Sequence, residues 1–156
     1  MSKFGEVSSA KTLSRAMSLT LSQFRKGATA PTDVTIGTTP TTGCYKFDAT
    51  NEIMSLHAVF PHDFDEAVSP CMVLLFCLRT SETNGDEISI TMDYVMVGPG
   101  SGNGPNRAST QVTATKAVTT AGGLASGDTY TVDIPINKDD ATNPIASDTH
   151  GLCAEF

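Results

Sequence analysis

The fold is decided by residues 71–97, which read CMVLLFCLRTSETNGDEISITMDYVMV. Residues 71–79 are apolar on both faces of a predicted strand: one face carries Met72, Leu74, Phe76 and Leu78, the other Cys71, Val73, Leu75 and Cys77. Asn84–Gly85 follows and is a strong β-hairpin signal. Residues 87–97 then alternate, and the inward positions are Ile88, Ile90, Met92, Tyr94 and Met96. Period-two alternation of this kind predicts strands.

The same period extends to both sides of this stretch. It predicts strands at 33–37, 43–49, 53–60, 71–79, 87–97, 109–118, 129–136 and 151–156. A short helix over 113–121 is the alternative at one of these positions. About eight short strands with turn signals between them predict an all-β fold, a two-sheet antiparallel sandwich, with a jelly roll as the best single architecture. One core is expected to hold Leu74, Phe76, Ile90, Met92, Tyr130, Val132 and Ile134.

The composition agrees with strands joined by turns. The chain has 156 residues, of which 22 are Thr and 13 are Gly, and only 17% are charged. Thr is β-branched and Gly serves turns, whereas a helical bundle would be richer in Ala, Leu, Glu and Lys. No apolar run approaches the roughly 20 residues that a membrane helix needs. A chain of this length needs neither a disulfide nor a metal to fold.

Charge divides the chain at residue 30. Residues 1–30 carry five basic groups against Glu6, whereas residues 31–156 carry five basic and sixteen acidic groups, which together give the net charge of -7. We therefore predict an N-terminal arm over 1–30 and a β-domain over 31–156. The arm is extended or partly helical, because its apolar residues fit either period, and it is expected to dock on a neighbour through Leu13, Met17, Leu21 and Phe24.

The two-faced strand at 71–79 needs a cover on its second face. A strand in a two-layer fold requires only one apolar face. Leaving Val73 and Leu75 in water would forgo about 1.5–3 kcal/mol of burial energy each. A neighbouring subunit, the N-terminal arm and a long loop of the same chain folded over the sheet are the three candidate covers. We favour a symmetric interface that includes Val73 and Leu75.

No catalytic, cofactor-binding or metal site is predicted. GPGSGNGP at 98–105 lacks the strand–helix setting and the Lys-Ser or Lys-Thr ending of a phosphate loop. HDFDE at 62–66 gathers acids that suit calcium, but the EF-hand pattern is absent. The three histidines have no nucleophile motif beside them. The four cysteines have no zinc spacing and are expected to be free, buried thiols, since MSKFGEV has no secretory h-region.

The order of segments carries a resemblance. PHDFDE precedes an apolar strand and a Thr/Ser/Gly turn; ISITMDYVMVGPG, GDTYTVDIPI, an Asp-rich loop over 138–149 and a closing strand follow. Over residues 55–156 this arrangement resembles the small β-sandwich virion structural proteins of tailed bacteriophages. These are capsid decoration (cement) proteins or parts of tail fibres.

The resemblance implies a jelly-roll sandwich on the outer surface of a virion, assembled in the host cytoplasm. It implies that the partners are other copies of the chain in a homotrimer, and the major capsid protein or another virion protein. The function expected is stabilisation of a phage head by binding between capsid subunits, without enzyme activity. The alternatives are a tail fibre or adaptor subunit and a carbohydrate- or receptor-binding jelly-roll module. The acidic body argues against nucleic acid or a membrane as a partner.

Overall fold

The structure is a computed structural model that describes residues 21–36, 42–47, 52–61, 64–78, 80–99, 104–118, 123–127, 129–146, 149 and 151–156, with only the backbone of Leu21, Ile36 and Thr42. Within these residues a 3₁₀ turn, Leu21–Gln23, is followed by nine strands and no α-helix. The strands are β1 (Phe24–Lys26), β2 (Thr32–Ile36), β3 (Thr42–Lys46), β4 (Met54–Val59), β5 (Cys71–Cys77), β6 (Glu87–Val97), β7 (Thr110–Ala117), β8 (Thr129–Pro135) and β9 (Gly151–Glu155). The prediction of an all-β fold is confirmed.

Strand pairing produces one large antiparallel sheet and two small ones. The main sheet has the order β1-β4-β9-β6-β7. β5 and β8 form a separate two-stranded sheet, the β5–β8 ladder, in which Leu74 lies opposite Val132. β2 and β3 form a second pair, the β2–β3 hairpin. The pairings β4 with β9, β5 with β8 and β6 with β7 are nested, since each encloses the next along the chain.

Alternate side chains of the main sheet and of the β5–β8 ladder enter one core. Its buried members are Met92, Tyr94, Met96, Ala114, Val132, Ile134, Ile136, Leu152 and Ala154. Leu74, Phe76 and Ile90 pack against this cluster as predicted. Tyr130 reaches it through Phe76, whose ring centroid lies 6.2 Å away. The period-two alternation therefore identified the core face of β5, β6 and β8, because a strand with one buried face must place its apolar residues two apart.

The end of the predicted arm lies in the main sheet. β1 pairs with β4, with Phe24 opposite Leu56, and the Phe24 ring lies 6.1 Å from that of Phe156. Phe24 thus packs within its own chain, and its role at an interface stays a prediction. Leu13 and Met17 lie outside the described residues, as does the side chain of Leu21.

The predicted hairpin at Asn84–Gly85 is wrong. The two residues do form a turn, and Gly85 adopts a φ of 103°, which favours glycine. The turn joins β5 of the ladder to β6 of the main sheet, and these strands do not pair with each other. Instead the Gly85 N–H donates to the Val118 carbonyl oxygen at 3.0 Å. Turn chemistry defines the local reversal but not which strands pair. The helix considered over 113–121 is also not formed, because β7 occupies Thr110–Ala117.

A buried amide ties the connection after β8 to the strands of the main sheet. Asn143 is fully buried, and its Nδ2 donates to the Ala108 carbonyl oxygen at 3.0 Å and to Thr110 Oγ1 at 2.9 Å. Its Oδ1 accepts from the Met96 N–H at 3.4 Å. A buried amide with partners of this kind stabilises one loop conformation, since any other leaves polar groups unpaired.

Asp140 supports the same connection at its start. Its Oδ1 accepts from Thr110 Oγ1 at 2.7 Å and from the backbone N–H groups of Asn143 and Thr142 at 2.7 and 2.9 Å. The Thr110 hydrogen bond, aided by the two N–H groups, holds the pKa of Asp140 below its ordinary value of 3.8, although partial burial acts in the opposite direction. The ionised Asp140 carboxylate therefore stabilises the fold at pH values above its ordinary pKa of 3.8. This stabilisation is lost as the pH falls through the lowered pKa of the folded state.

Replacing Asn143 by Ala is expected to lower the free energy of unfolding by about 2–4 kcal/mol, because the buried Met96 N–H and Tyr94 carbonyl oxygen each lose a hydrogen-bond partner. Urea unfolding followed by far-UV circular dichroism measures the change. The matched control is Asn106→Ala, since Asn106 is exposed; it is expected to stay within about 0.5 kcal/mol of the wild type. Equal effects of the two substitutions would contradict the structural role of Asn143.

Candidate functional site

β5 is apolar on both faces, and only one face is covered. Met72, Leu74 and Phe76 point inward and pack against the core. Val73 and Leu75 point outward and are 59% and 69% exposed. The two faces predicted for this strand are thereby confirmed. No described loop of the chain covers Val73 and Leu75. The arm is the third candidate cover, and its residues 1–20 lie outside the described residues.

The neighbouring positions on β8 extend this surface. Residues directly opposite each other in an antiparallel pair share a face. Leu75 lies opposite Thr131, Val73 opposite Asp133, and Cys71 opposite Pro135. We call the exposed apolar members of this face the β5 patch: Cys71, Val73, Leu75 and Pro135. Asp133 is the one charge among the outward positions of the ladder, and it lies on β8.

The far edge of β5 also has no partner strand among the described residues, and we call it the open edge. The Ile136 N–H donates to the Pro70 carbonyl oxygen at 3.0 Å, and the Gly127 N–H donates to the Leu78 carbonyl oxygen at 2.8 Å. Backbone groups alternate in direction along an antiparallel strand. The even-numbered residues between these two carbonyls therefore direct their N–H and C=O toward β8. The odd-numbered ones, Cys71, Val73, Leu75 and Cys77, direct theirs toward the other edge.

This open edge lacks the usual protection. Among the strands that the structure describes, β5 pairs with β8 alone. Exposed edges are usually blunted by a charged side chain, a proline or a bulge, because free N–H and C=O groups recruit another strand. β5 reads CMVLLFC and has none of these features. An apolar face and an unprotected edge on the same strand together indicate a contact surface.

The cysteines are free thiols, but the prediction that they are buried is wrong. Cys71 is exposed, and Cys44, Cys77 and Cys153 are half-buried. Partial burial and the Asp133 carboxylate raise the pKa of Cys71, and a hydrogen bond with the backbone of Ile134 opposes them. Cys71 is therefore a neutral thiol near neutral pH and adds to the apolar character of the β5 patch.

Among the described residues, the side chains that could ligate a metal or act in catalysis do not converge. His57 is exposed on the outer face of the main sheet, opposite Cys153. No group of three His, Cys, Asp or Glu within the described ranges is placed to hold a metal. His62, Asp63 and His150 lie outside those ranges.

Two concave sites formed by described residues are either small or open. A cleft of about 130 Å³ is lined by Met96, Arg107 and Pro144 among others. This volume is below the roughly 300–1,000 Å³ of small-molecule pockets. The Arg107 guanidinium donates to the Thr142 carbonyl oxygen, so it already has a partner.

A second groove follows the β2–β3 hairpin and includes Tyr45. The Lys26 ammonium lies 5.3 Å from the centroid of that ring and 2.7 Å from Asp33 Oδ2. Lys26 thus covers a face of Tyr45 on which a sugar would stack. Of the other tyrosines, Tyr94 is buried and Tyr130 half-buried.

The structure brings together two of the predicted interface residues, Val73 and Leu75, and sets Phe24 in another sheet. Sequence reasoning missed the open edge and the contribution of Pro135. Prolines within sheets are confined to edge strands and strand ends, so Pro135 marks an edge or the end of β8 but not the open edge of β5.

Comparisons of the chain with protein-family models, curated proteins and solved structures find no match. Within the described residues there is no helix with the length and hydropathy needed to cross a membrane. The functional argument therefore depends on the geometry of the β5 patch and on the open edge.

The two faces of β5 can be compared by substituting adjacent leucines. Leu75→Ser is expected to change the free energy of unfolding by less than about 0.5 kcal/mol in dilute protein, because its side chain is exposed. Leu74→Ser is expected to cost about 2 kcal/mol or more, because it removes an apolar side chain from the core and introduces a hydroxyl. Thermal and urea unfolding measure both. A larger loss for Leu75→Ser than for Leu74→Ser would contradict the assignment of the faces.

Proposed function

We propose that the protein is a virion structural protein, a capsid decoration (cement) protein that stabilises a bacteriophage head by binding between capsid subunits on its outer surface. The observation that carries the proposal is the β5 patch. Val73 and Leu75 expose apolar side chains on a strand whose other face is core. Exposed apolar surface of this kind marks a site of protein contact. A subunit of a large assembly binds its neighbours through such a surface and does not need a small-molecule pocket.

We also propose that the fold is a jelly-roll-like sandwich, which would support this role. In a jelly roll, a long antiparallel hairpin is wound so that its nested strand pairs are divided between two sheets. The nested pairs β4–β9, β5–β8 and β6–β7 fit this plan, with the ladder apart from the main sheet. Side chains of the ladder and of the main sheet share the core, as expected between two packed sheets. Jelly rolls are common in viral capsid proteins, although fold alone does not define function.

The mechanism proposed is stabilisation by mass action. A protein that binds the assembled shell but not its dissociated subunits lowers the free energy of the assembled state. Burying Val73 and Leu75 against a neighbour would contribute up to about 1.5–3 kcal/mol each. Many copies on one shell add their contributions. No catalytic step enters this mechanism.

Charge supplies a second source of attraction. Lys3, Lys11 and Arg15 against Glu6 give residues 1–20 a net charge of +2, whereas the chain as a whole carries -7. We propose that this segment contacts acidic surfaces of neighbouring copies or of the major capsid protein. Such attraction is screened by salt over about 10 Å at 0.1 M. Neighbouring copies of the chain on the shell would place several copies of this segment side by side.

Co-sedimentation tests the proposed function. The chain is co-expressed with the major capsid protein of the same viral genome, and shells are separated on a density gradient. We expect the chain to sediment with the shells and to raise the temperature at which they dissociate.

Two variants test the contribution of the β5 patch to this binding. Val73→Ser/Leu75→Ser is expected to weaken binding at least tenfold. Val59→Ser is the control, because Val59 is 62% exposed on the main sheet. Intact shells without the bound chain would contradict the decoration role, and recovery with tails alone would favour the tail-fibre alternative.

A further inference from the structure

The sequence of β5 is nearly symmetric about its central residue. Leu74 has three residues of the strand on each side. Moving outward from it, Val73 corresponds to Leu75, Met72 to Phe76, and Cys71 to Cys77. A twofold interface requires a surface that is complementary to itself. A twofold axis at Leu74 would place each of these side chains opposite its counterpart on a second copy.

The backbone supports the same register. The N–H and C=O groups that face the open edge belong to Cys71, Val73, Leu75 and Cys77. With the axis at Leu74, Val73 lies opposite Leu75 of the partner subunit, and Cys71 lies opposite Cys77 of the partner subunit. Four residue pairs then exchange two hydrogen bonds each. If one β5 strand slides by two residues relative to the other, one of the four hydrogen-bonded pairs is lost. If it slides by one residue, the N–H and C=O groups at the open edge of each strand face residues whose own N–H and C=O point toward β8.

Electrostatics does not oppose this contact. β5 contains no charged residue. Asp133 is the charge closest to it on the outward face of the ladder, and it lies one strand away from the new pairing. The two Asp133 carboxylates would be separated by three strand spacings across the sheet and by two residues along it, roughly 16 Å in all, which exceeds the Debye length at physiological salt.

We infer that a second copy of the chain binds to the open edge of β5, antiparallel and about a twofold axis at Leu74. The two ladders then form one continuous four-stranded sheet with the order β8-β5-β5-β8. The β5 patches of the two subunits meet across the axis and form one apolar strip. This dimer does not depend on the virion role proposed above. It also differs from the homotrimer that the resemblance implies. Only a twofold axis places the two halves of the β5 sequence opposite each other in the two subunits, and a threefold axis does not.

Charged residues introduced at Val73 and Leu75 test the register in which the two β5 strands pair. Analytical ultracentrifugation of the full chain from about 1 to about 300 μM measures this association. We expect the wild type to approach a dimer. Val73→Lys/Leu75→Lys places like charges opposite each other and is expected to weaken dimerisation at least tenfold. Val73→Lys/Leu75→Glu replaces the same side chains but places opposite charges across the axis, so it is expected to bind more tightly than the double-lysine variant.

Circular dichroism verifies that both double variants fold. The inference would be overturned by a monomer throughout the concentration range, by a trimer, or by equal dimerisation of the two double variants.

Disulfide trapping gives a second readout of the register. In a Cys44→Ser/Cys153→Ser background, diamide at about pH 8.5 oxidises two facing thiols to a disulfide and is itself reduced to the hydrazine, taking up two electrons and two protons. Paired residues in this register have Cα atoms about 5.5 Å apart, which suits a disulfide. The chain that retains Cys71 and Cys77 is therefore expected to form covalent dimers.

The controls add either Cys71→Ser or Cys77→Ser to that background. The remaining identical thiols of the two subunits would lie about 20 Å apart at opposite ends of the paired strands, so no cross-link is expected. Cross-linking of the single-cysteine chains as efficient as that of the two-cysteine chain would overturn the register.

Discussion

The rest of the structure depends on the pairing of β5 with β8. This ladder carries Met72, Leu74, Phe76, Val132 and Ile134 to the core, where they pack against the inner face of the main sheet. The same pairing uses only one edge and one face of β5. Val73 and Leu75 are left exposed, and their backbone groups are left pointing away from β8. The need to close the core thus creates the surface on which both proposals depend.

The chain order makes this arrangement strongly non-local. β9, formed by residues close to the end of the chain, lies between β4 and β6 in the main sheet, so Leu152 is opposite both Ala58 and Met96. The main sheet cannot be completed until these distant residues meet. Non-local pairing of this kind is associated with slow folding, and it leaves apolar strands such as β5 exposed in the meantime. A partner on the open edge would therefore also limit the aggregation to which that edge is prone.

The structural features that the sequence predicts are those that depend on residues close together in the chain. The bounds of β6 and the two faces of β5 follow from side-chain alternation, and the interface prediction for Val73 and Leu75 depends on the same pattern. The three residues of β1 are too few to show a period. The partner of β5 could not be predicted, since Asn84–Gly85 suggests β6 whereas the pairing is with β8. Asn143 looks like any loop asparagine until the fold surrounds it. The symmetry of CMVLLFC is visible in the sequence, but it has no meaning until the edge of β5 is known to be open.

Residue-resolved amide hydrogen exchange of the wild-type chain, measured by NMR in dilute and in concentrated solution, tests the central claim most directly. The Leu74 N–H points toward β8 and should be protected at both concentrations. The N–H groups of Val73 and Leu75 should exchange rapidly in dilute protein and become protected as the concentration rises. Protection of Val73 and Leu75 in the dilute monomer would show that the chain covers its own edge. Rapid exchange of both at every concentration would show that the edge binds no second copy. Either result would contradict an open β5 edge that pairs with a second subunit.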